Sequence, residues 1–180
     1  PPLYLNDVAI EPGAAGILVT DMGYRAGMFS APGKFWPLDG EEAKNIPALG
    51  RIYRVTLDGE VSIAVDHAKE FPNPNGLDVL ADGRILIADF FRGTLLERSV
   101  AGKLREISRD HRSADGIVHD EAGNFYLTEV FTGRVWHITA TGEKRLLATL
   151  QSAADLIFDK EGHQLIVPDS KAGLIVYIPL

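Results

Sequence analysis

PNGLDVLADGRILIADFFRGTLLERSVAGKLREI (Pro74 to Ile107) is followed in this chain by a second copy of the same pattern, ADGIVHDEAGNFYLTEVFTGRVWHITATGEKRLL (Ala114 to Leu147), which aligns with it without a gap. The glycines of the two copies are therefore forty residues apart, as in Gly76 and Gly116 or Gly93 and Gly133. A repeat of this length with several short β-type segments is typical of units that bury their faces only by stacking on one another.

The pattern extends to both sides of these two copies. A third copy begins at Ala153, and an earlier one begins at Leu5, is interrupted, and resumes at Gly50. An acidic residue recurs at the end of the second segment of every unit, at Asp21, Asp89, Glu129 and Asp169. The predicted units are residues 5–66, 74–112, 113–151 and 152–180, with an insertion over residues 22–49 in the first.

Each unit contains four predicted strands. In the second unit they are Gly76 to Leu80, Arg84 to Asp89, Thr94 to Ser99 and Lys103 to Ile107, separated by Asp-Gly and Ala-Gly turns that favour tight hairpins. Only residues 40–48 carry a weak helical pattern. The sequence therefore predicts an all-β fold, a β-propeller with about four blades' worth of sequence in one domain of 180 residues.

The last unit stops after its third strand, and the proline-rich start of the chain, Pro1 to Leu5, is too short to supply a fourth. We therefore expect an N-terminal portion to be absent, because propellers usually close their ring with strands from both chain ends. A complete four-bladed ring with a three-stranded last blade is the alternative.

Composition narrows the classes of partner. Eighteen lysines and arginines face 25 acidic residues, giving a net charge of −7, and the basic residues are scattered, so a nucleic-acid partner is not expected. The sequence has no apolar run long enough for a membrane span. The absence of cysteine excludes disulfides and thiol catalysis, and it leaves the redox compartment open. The sequence also leaves the oligomeric state open.

The start of the first strand of each unit is the predicted site. In a propeller these strands line the central channel, so the equivalent residues Asn6, Asn75, Asp115 and Ala154 form a ring at one mouth of it. Oxygen donors from separate strands suit calcium or another hard divalent ion. Asn-Gly and Asp-Gly are also ordinary turn dipeptides, and that structural interpretation remains open here.

Four segments, LNDV (Leu5 to Val8), PNGLDV (Pro74 to Val79), ADGIVHDEAG (Ala114 to Gly123) and SAADLIFD (Ser152 to Asp159), resemble the family of senescence marker protein, gluconolactonase and luciferin-regenerating enzyme. The resemblance spans essentially the whole chain as the last four blades of a six-bladed propeller. It implies a divalent metal on the axis, most often calcium, with magnesium, manganese or zinc as alternatives.

Carried over by motif, the resemblance makes Asn75, Asp115 and Asn6 the metal ligands. The family's first-blade glutamate has no counterpart in this chain, which leaves one negative charge against a dication. It further implies a hydrolase that opens a small lactone or ester, with Asp115 as the catalytic base. A non-catalytic propeller that binds a ligand or a protein is the alternative.

The remaining candidates concern the substrate. Asn6 and His119, on the first strands, and Arg25 and Trp36, in the insertion, are predicted substrate contacts. The insertion would be a lid if it lies at the channel mouth, and an interface or packing flap if it lies at the opposite end. The recurring carboxylates Asp21, Asp89, Glu129 and Asp169 are predicted to hold turns, because a structural role explains a residue that returns in every unit.

Overall fold

The computed structural model describes residues 1–180, except for the side chain of Ala14. The strands are β1 (Leu5–Ile10), β2 (Gly16–Asp21), β3 (Phe29–Ala31), β4 (Lys34–Phe35), β5 (Arg51–Thr56), β6 (Val61–Val65), β7 (Pro74–Val79), β8 (Ile85–Asp89), β9 (Thr94–Arg98), β10 (Leu104–Ser108), β11 (Ala114–His119), β12 (Phe125–Glu129), β13 (Arg134–Ile138), β14 (Lys144–Thr149), β15 (Ile157–Asp159), β16 (Gln164–Asp169) and β17 (Leu174–Pro179). A short helix, α1 (Glu41–Lys44), and two 3-10 turns, Pro12–Ala14 and Arg25–Met28, complete the secondary structure.

The strands form four antiparallel sheets, which are the blades. Blade 1 has the order β1-β2-β5-β6, blade 2 has β7-β8-β9-β10, blade 3 has β11-β12-β13-β14, and blade 4 has β15-β16-β17. Every strand pairs with its neighbours in sequence, except that β3 and β4 form a separate ribbon between β2 and β5. The predicted all-β propeller fold is confirmed.

The predicted strands of blade 2 agree with β7 to β10 to within two residues at each end. The hairpin turns between them contain glycine, as predicted. Gly83 has a φ of 85°, a backbone conformation that is strained for residues other than glycine. The predicted helical segment is reduced to the single turn of α1, because its Ala43 and the nearby Ile46 are the only apolar side chains that it buries.

The core consists of three layers, one between each pair of neighbouring blades. Leu18 and Ile52 of blade 1 meet Leu77 and Ile87 of blade 2 in the first layer. Leu86 and Leu95, on the other face of blade 2, meet Ile117 and Leu127 of blade 3, and Val135 of blade 3 meets Leu165 of blade 4. Alternate residues of a strand point to opposite faces, so each middle blade is apolar on both sides and must be stacked between neighbours.

The insertion between β2 and β5 has its own small core. Met28, Ala43 and Ile46 pack with Met22 and with Phe90, which follows the second strand of blade 2. The ring of Phe35 lies 5.4 Å from that of Phe90 and 5.3 Å from that of Phe131 in blade 3. The insertion therefore leaves blade 1 and reaches across blade 2 to blade 3.

The turn after the second strand of each blade lies at the same end of the molecule as the start of the first strands. The N–H of His111, just before β11, donates to the carbonyl of Gly93 at 2.9 Å, and the N–H of Leu150 donates to that of Gly133 at 2.7 Å. The insertion replaces such a turn in blade 1, where the Gly50 N–H donates to Pro72 at 3.1 Å. The sequence left two positions open for the insertion, and the structure shows the one at the start of the first strands, which we call the mouth end.

Among the described residues, none of the helices has the length and apolar character needed to cross a lipid bilayer.

Candidate functional site

Strand pairing defines which residues are equivalent at the mouth end. Leu5 pairs with Asp21, Pro74 with Asp89, Ala114 with Glu129, and Ala153 bridges to Asp169. The next residue of each first strand, Asn6, Asn75, Asp115 and Ala154, is therefore equivalent in the four blades, as the sequence predicted. Each position is followed by an irregularity in the pairing, which turns these residues out of the regular ladder.

Two of the predicted site residues are in direct contact. The amide nitrogen Nδ2 of Asn75 donates to Oδ1 of Asp115 at 2.7 Å, across the boundary between blades 2 and 3. Asn75 is 3% exposed, and its backbone carbonyl accepts a hydrogen bond of 2.8 Å from the Thr20 hydroxyl of blade 1. The asparagine is thus fixed from both sides, and it holds the carboxylate of Asp115 in a defined orientation.

Two further carboxylates, Asp7 and Asp155, lie one residue beyond this ring, where the middle blades have Gly76 and Gly116. A Cβ at Gly116 would overlap Oδ1 of Asp155. Oδ2 of Asp7 accepts the backbone N–H of Leu77 at 2.7 Å, next to Gly76. The missing side chain of Gly116 therefore leaves room for Asp155, whereas a Cβ at Gly76 would overlap the backbone carbonyl of Asp115.

The three carboxylates disfavour one another's ionisation. Loss of hydration on burial, the charge of Asp155 and, more weakly, that of Asp115 raise the pKa of Asp7 to about 7, against the N–H donors of Val8 and Leu77. Burial and the charge of Asp155 also raise the pKa of Asp115 to about 7, although the hydrogen bond from Asn75 opposes this shift. Both groups therefore keep their protons to a higher pH than an exposed aspartate does.

Asp155 has an exposed side chain, but nearby protein atoms displace part of its hydration shell. The resulting loss of hydration raises the pKa of Asp155, and the charge of Asp78 adds to the effect. Asp78 lies further along β7, where its Oδ2 is 2.5 Å from Nδ1 of His119 and 3.0 Å from the His119 backbone nitrogen. The channel thus carries acidic groups both at the mouth and deeper inside.

The other predicted contacts are placed apart from the Asn75–Asp115 pair. The Asn6 side chain is exposed, and its Nδ2 lies 3.0 Å from Sδ of Met22, at the start of the insertion. His119 is bound to Asp78, and this pair raises the pKa of the imidazole. Neither residue makes a hydrogen bond to Asn75 or Asp115 in the described structure.

The two predicted contacts in the insertion also have partners at the mouth end. The guanidinium of Arg25 lies 5.3 Å from the ring of Tyr4 and 5.1 Å from that of Phe29, and Arg25 is exposed. Trp36 is partly buried in the core of the insertion. Arg25 is therefore free to meet a ligand, whereas Trp36 mainly supports the insertion.

A divalent metal needs several oxygen ligands from one small group of side chains. Within the described residues, no group of three or more acidic or histidine side chains is close enough to hold an ion. The Asn75–Asp115 pair itself, one amide and one carboxylate, has the oxygen donors that a hard cation prefers. The predicted ligands Asn75 and Asp115 are adjacent, and Asn6 would have to leave Met22 to join them.

The recurring carboxylates have the predicted structural role in three blades. Asp21 accepts the N–H groups of Leu3 and Tyr4 at 2.8 Å, and Asp89 accepts those of Asn73 and Arg92 at 2.7 and 2.9 Å. Asp169 in the same way accepts N–H groups from the segments on both sides of β16. In blade 3 the longer Glu129 instead accepts the indole N–H of Trp136 at 2.7 Å.

This fold and its channel define the chain as a β-propeller protein, and comparisons with known proteins agree. No family model and no curated protein sequence matches the chain. Three solved structures share its fold: a nidogen/laminin complex (TM-score 0.69, 18% identity), a luciferin-regenerating enzyme (0.64, 16%) and a catalytically inactive virginiamycin B lyase from Staphylococcus aureus with quinupristin (0.58, 12%).

These alignments cover 92%, 97% and 98% of this chain, in the same order. The chain spans only 57%, 59% and 56% of the matched chains. At these identities the likeness shows the fold alone. The three structures include a luciferin-regenerating enzyme, the type of propeller that the sequence resembles, and also a lyase and a nidogen/laminin complex.

Sequence reasoning found the Asn75–Asp115 pair and missed Asp7 and Asp155. The signal was present, because the position after the ring has aspartate in the first and last units and glycine in the two between. The sequence does not reveal that both aspartates reach the same channel, since their positions are 148 residues apart.

Proposed function

We propose that this protein opens a small lactone by hydrolysis at the channel mouth, with Asp115 as the general base and Asn75 as a positioning residue. The observation that carries the proposal is the Asn75–Asp115 hydrogen bond of 2.7 Å on the channel, at a carboxyl group whose pKa is raised to about 7. A base is most effective when its pKa lies near the working pH.

The reaction uses the proton equilibrium of Asp115. The ionised carboxylate takes a proton from water while the water oxygen attacks the lactone carbonyl. The ring C–O bond then breaks, and the protonated Asp115 returns the proton to the leaving ring oxygen, which gives the hydroxy acid. The same group serves as base and acid because its pKa lies between the ordinary value of an aspartate and that of an alcohol.

Asn75 supports this role by geometry. Its buried amide donates to Oδ1 of Asp115 and leaves Oδ2 free for water. Because Thr20 holds the Asn75 backbone, a change at Asn75 would misplace the base without removing it. Such fixed orientation of a reacting group lowers the entropic part of the barrier.

A calcium ion, if bound by the oxygens of Asn75 and Asp115, would polarise the lactone carbonyl. The proposal includes this ion as a cofactor, and the crowded carboxylates give it a reason to bind. The resembled family has a first-blade glutamate that has no counterpart in this chain. Asp7 and Asp155 would supply negative charge near the ion in its place.

The insertion is proposed as the wall of the substrate entrance. It lies at the mouth end, it contacts Asn6 through Met22, and it presents the exposed Arg25 on an aromatic support of Tyr4 and Phe29. An arginine held in this way suits a substrate that carries a carboxylate or many hydroxyl groups.

A non-catalytic binding propeller is the second candidate. It is favoured by the absence, among the described residues, of a ready three-ligand metal group and by the fold likeness to the nidogen/laminin complex. A propeller fold alone does not distinguish the two functions.

The test is acid release from a panel of five- and six-membered sugar lactones, followed in a pH-stat with calcium or with a chelator. We expect hydrolysis by the protein, and a fall in kcat/KM of about 10²- to 10⁴-fold in Asp115→Asn. The matched control is Asp82→Asn, which changes an exposed turn aspartate and should leave the rate unchanged.

Two results would reject lactone hydrolysis: no rate above the uncatalysed reaction with any divalent ion, or a rate that Asp115→Asn leaves intact. Thermal shift on the same samples measures the ion separately. Stabilisation by calcium in the wild type but not in Asp115→Asn supports a metal at this pair, and equal shifts in both place the ion elsewhere.

A further inference from the structure

A second concave site lies outside the channel, between the insertion and the outer strands of blade 2. We call it the outer cleft. Its main lobe has a volume of about 680 Å³, with Leu38, Ala43 and Ile46 of the insertion on one side and Thr94, Leu96 and Leu104 of blade 2 on the other. Neither Asn75 nor Asp115 lines it.

A smaller lobe of about 360 Å³ continues this cleft toward blade 3 and ends at His111 and Arg112. The two lobes share Phe91, Arg92 and Asp110 in their walls, so they form one groove. Volumes of this size suit a small organic molecule rather than a single ion.

Several charged side chains on the wall of the outer cleft are unpaired, and they include as many cations as acids. Its residues that take part in no ion pair within 4.0 Å, among the described residues, are the cations Lys69, Arg92 and Arg112 and the acids Asp39, Glu70 and Asp110. The remaining charges are neutralised locally, because Arg109 binds Glu106 at 2.6 Å and Lys44 binds Glu41 at 2.7 Å. The outer cleft thus offers both signs of charge to a ligand.

The loop that carries Asp110 and Arg112 is held rigidly. Asp110 and Ser113 have φ values of 65° and 57°, a backbone conformation that is costly for residues other than glycine. Between them the fully buried His111 anchors the loop, with Nε2 2.9 Å from the Ser108 hydroxyl and its N–H bound to Gly93. The neighbouring charged side chains are therefore presented by a fixed backbone, which lowers the entropic cost of binding.

The opposite wall is also fixed in place. Ala43 and Ile46 are buried in the core of the insertion, whose Met28 is fully enclosed. Phe91 lies between that core and the cleft. The outer cleft is therefore a preformed groove with an apolar floor.

We propose that the outer cleft binds a small zwitterionic molecule with an apolar body, of the size and chemistry of an apolar dipeptide. The apolar floor takes the side chains, Arg92 is a ligand for the carboxylate, and Asp110 is a ligand for the ammonium group. This site is independent of the proposed lactone hydrolysis.

The test uses isothermal titration calorimetry with L-leucyl-L-leucine as the probe, supported by NMR shift mapping. The zwitterionic dipeptide should bind with a dissociation constant of about 1 mM or below, and its N-acetylated amide, which has no charge, should bind at least about fivefold more weakly. Arg92→Gln and Asp110→Asn should each weaken binding of the dipeptide about fivefold. Asparagine tolerates the φ of residue 110, so the loop is preserved.

Arg145→Gln is the matched control, since Arg145 is exposed on blade 3 away from the outer cleft. It should bind the dipeptide like the wild type, and so should Asp115→Asn, which separates this site from the channel. The proposal is overturned if the dipeptide does not bind, if the uncharged analogue binds equally well, or if Arg145→Gln weakens binding as much as Arg92→Gln.

Discussion

Two sets of acidic residues at the same end of this propeller have different partners. The carboxylates at the ends of the second strands, Asp21, Asp89 and Asp169, each accept backbone N–H groups from the adjoining loops. At the starts of the blades, the charge of Asp155 instead raises the pKa of Asp7 and of Asp115. Asp115 has a single hydrogen-bond donor, the amide of Asn75.

The difference separates a structural role from a functional one. Backbone donors are supplied by the repeat itself, so a carboxylate that they satisfy recurs in every blade. The channel carboxylates have unlike neighbours from blade to blade, and their mutual repulsion works against folding at high pH. Unfavourable electrostatics of this kind are more often found at functional sites than in structural networks.

The largest effect is expected for Asp89→Ala. This change leaves the buried N–H of Asn73 and the partly buried N–H of Arg92 without their acceptor, and the free energy of unfolding should fall by about 3 kcal/mol. Urea denaturation measures it, with Asp82→Ala in an exposed turn as the control. A loss below about 1 kcal/mol would show that this set of carboxylates does not hold the loops.

Asp7→Asn is expected to act in the opposite direction. The raised pKa of Asp7, about 7, means that the stability of the wild type falls as the pH rises from about 4 through 7, because the folded state holds the proton more tightly than the unfolded chain. The variant avoids this loss, so it should be more stable than the wild type by about 1 kcal/mol at pH 8 and equal to it near pH 4.

Denaturation at both pH values checks this prediction. An asparagine at position 7 keeps an oxygen that can accept the Leu77 N–H, so packing is preserved. A variant less stable than the wild type at pH 8 would mean that the repulsion between these carboxylates is unimportant.

Asp155→Asn should move the pH dependence of hydrolysis. The wild-type rate is expected to rise with pH through an apparent pKa of about 7, because the proposed base must lose its proton. Since the charge of Asp155 raises the pKa of Asp115, its removal should shift the rising limb to lower pH by less than about one unit. If the rise of the rate with pH stays where it is in the wild type, the titrating group is not Asp115.

The smallest effect is expected for His119→Gln. His119 is bound to Asp78, away from the Asn75–Asp115 pair, so kcat/KM should stay within about twofold of the wild type. A loss of tenfold or more would instead place the imidazole in contact with the substrate, as the sequence analysis predicted.

The sequence predicted the four blades well because the repeat is a local property. Turn glycines, short alternating strands and the recurring Asp89-type carboxylate lie within forty residues, and each element is stabilised mainly by neighbours in the same unit. The same regularity placed Asn75 and Asp115 in equivalent positions, and their contact follows from the stacking of adjacent blades.

The position of the insertion could not be predicted in this way, because no repeat describes it. Its location follows from the pairing of β2 with β5 and from the contact of Phe35 with Phe90 and Phe131, which come from other blades. The sequence shows aromatic residues in the segment but not which surface they cover.

By itself, then, the sequence determined the β-propeller fold, the strands of blade 2 to within two residues at each end, and one asparagine–aspartate pair. Only the tertiary structure brought Asp7 and Asp155 into the same channel and built the outer cleft from the insertion and blade 2. The physical reason is the separation, along the sequence, of the residues that take part in each interaction. The turns and alternating strands of each blade depend mainly on residues within one repeat, whereas electrostatic repulsion and cavity shape depend on groups that only the stacking of different blades brings together.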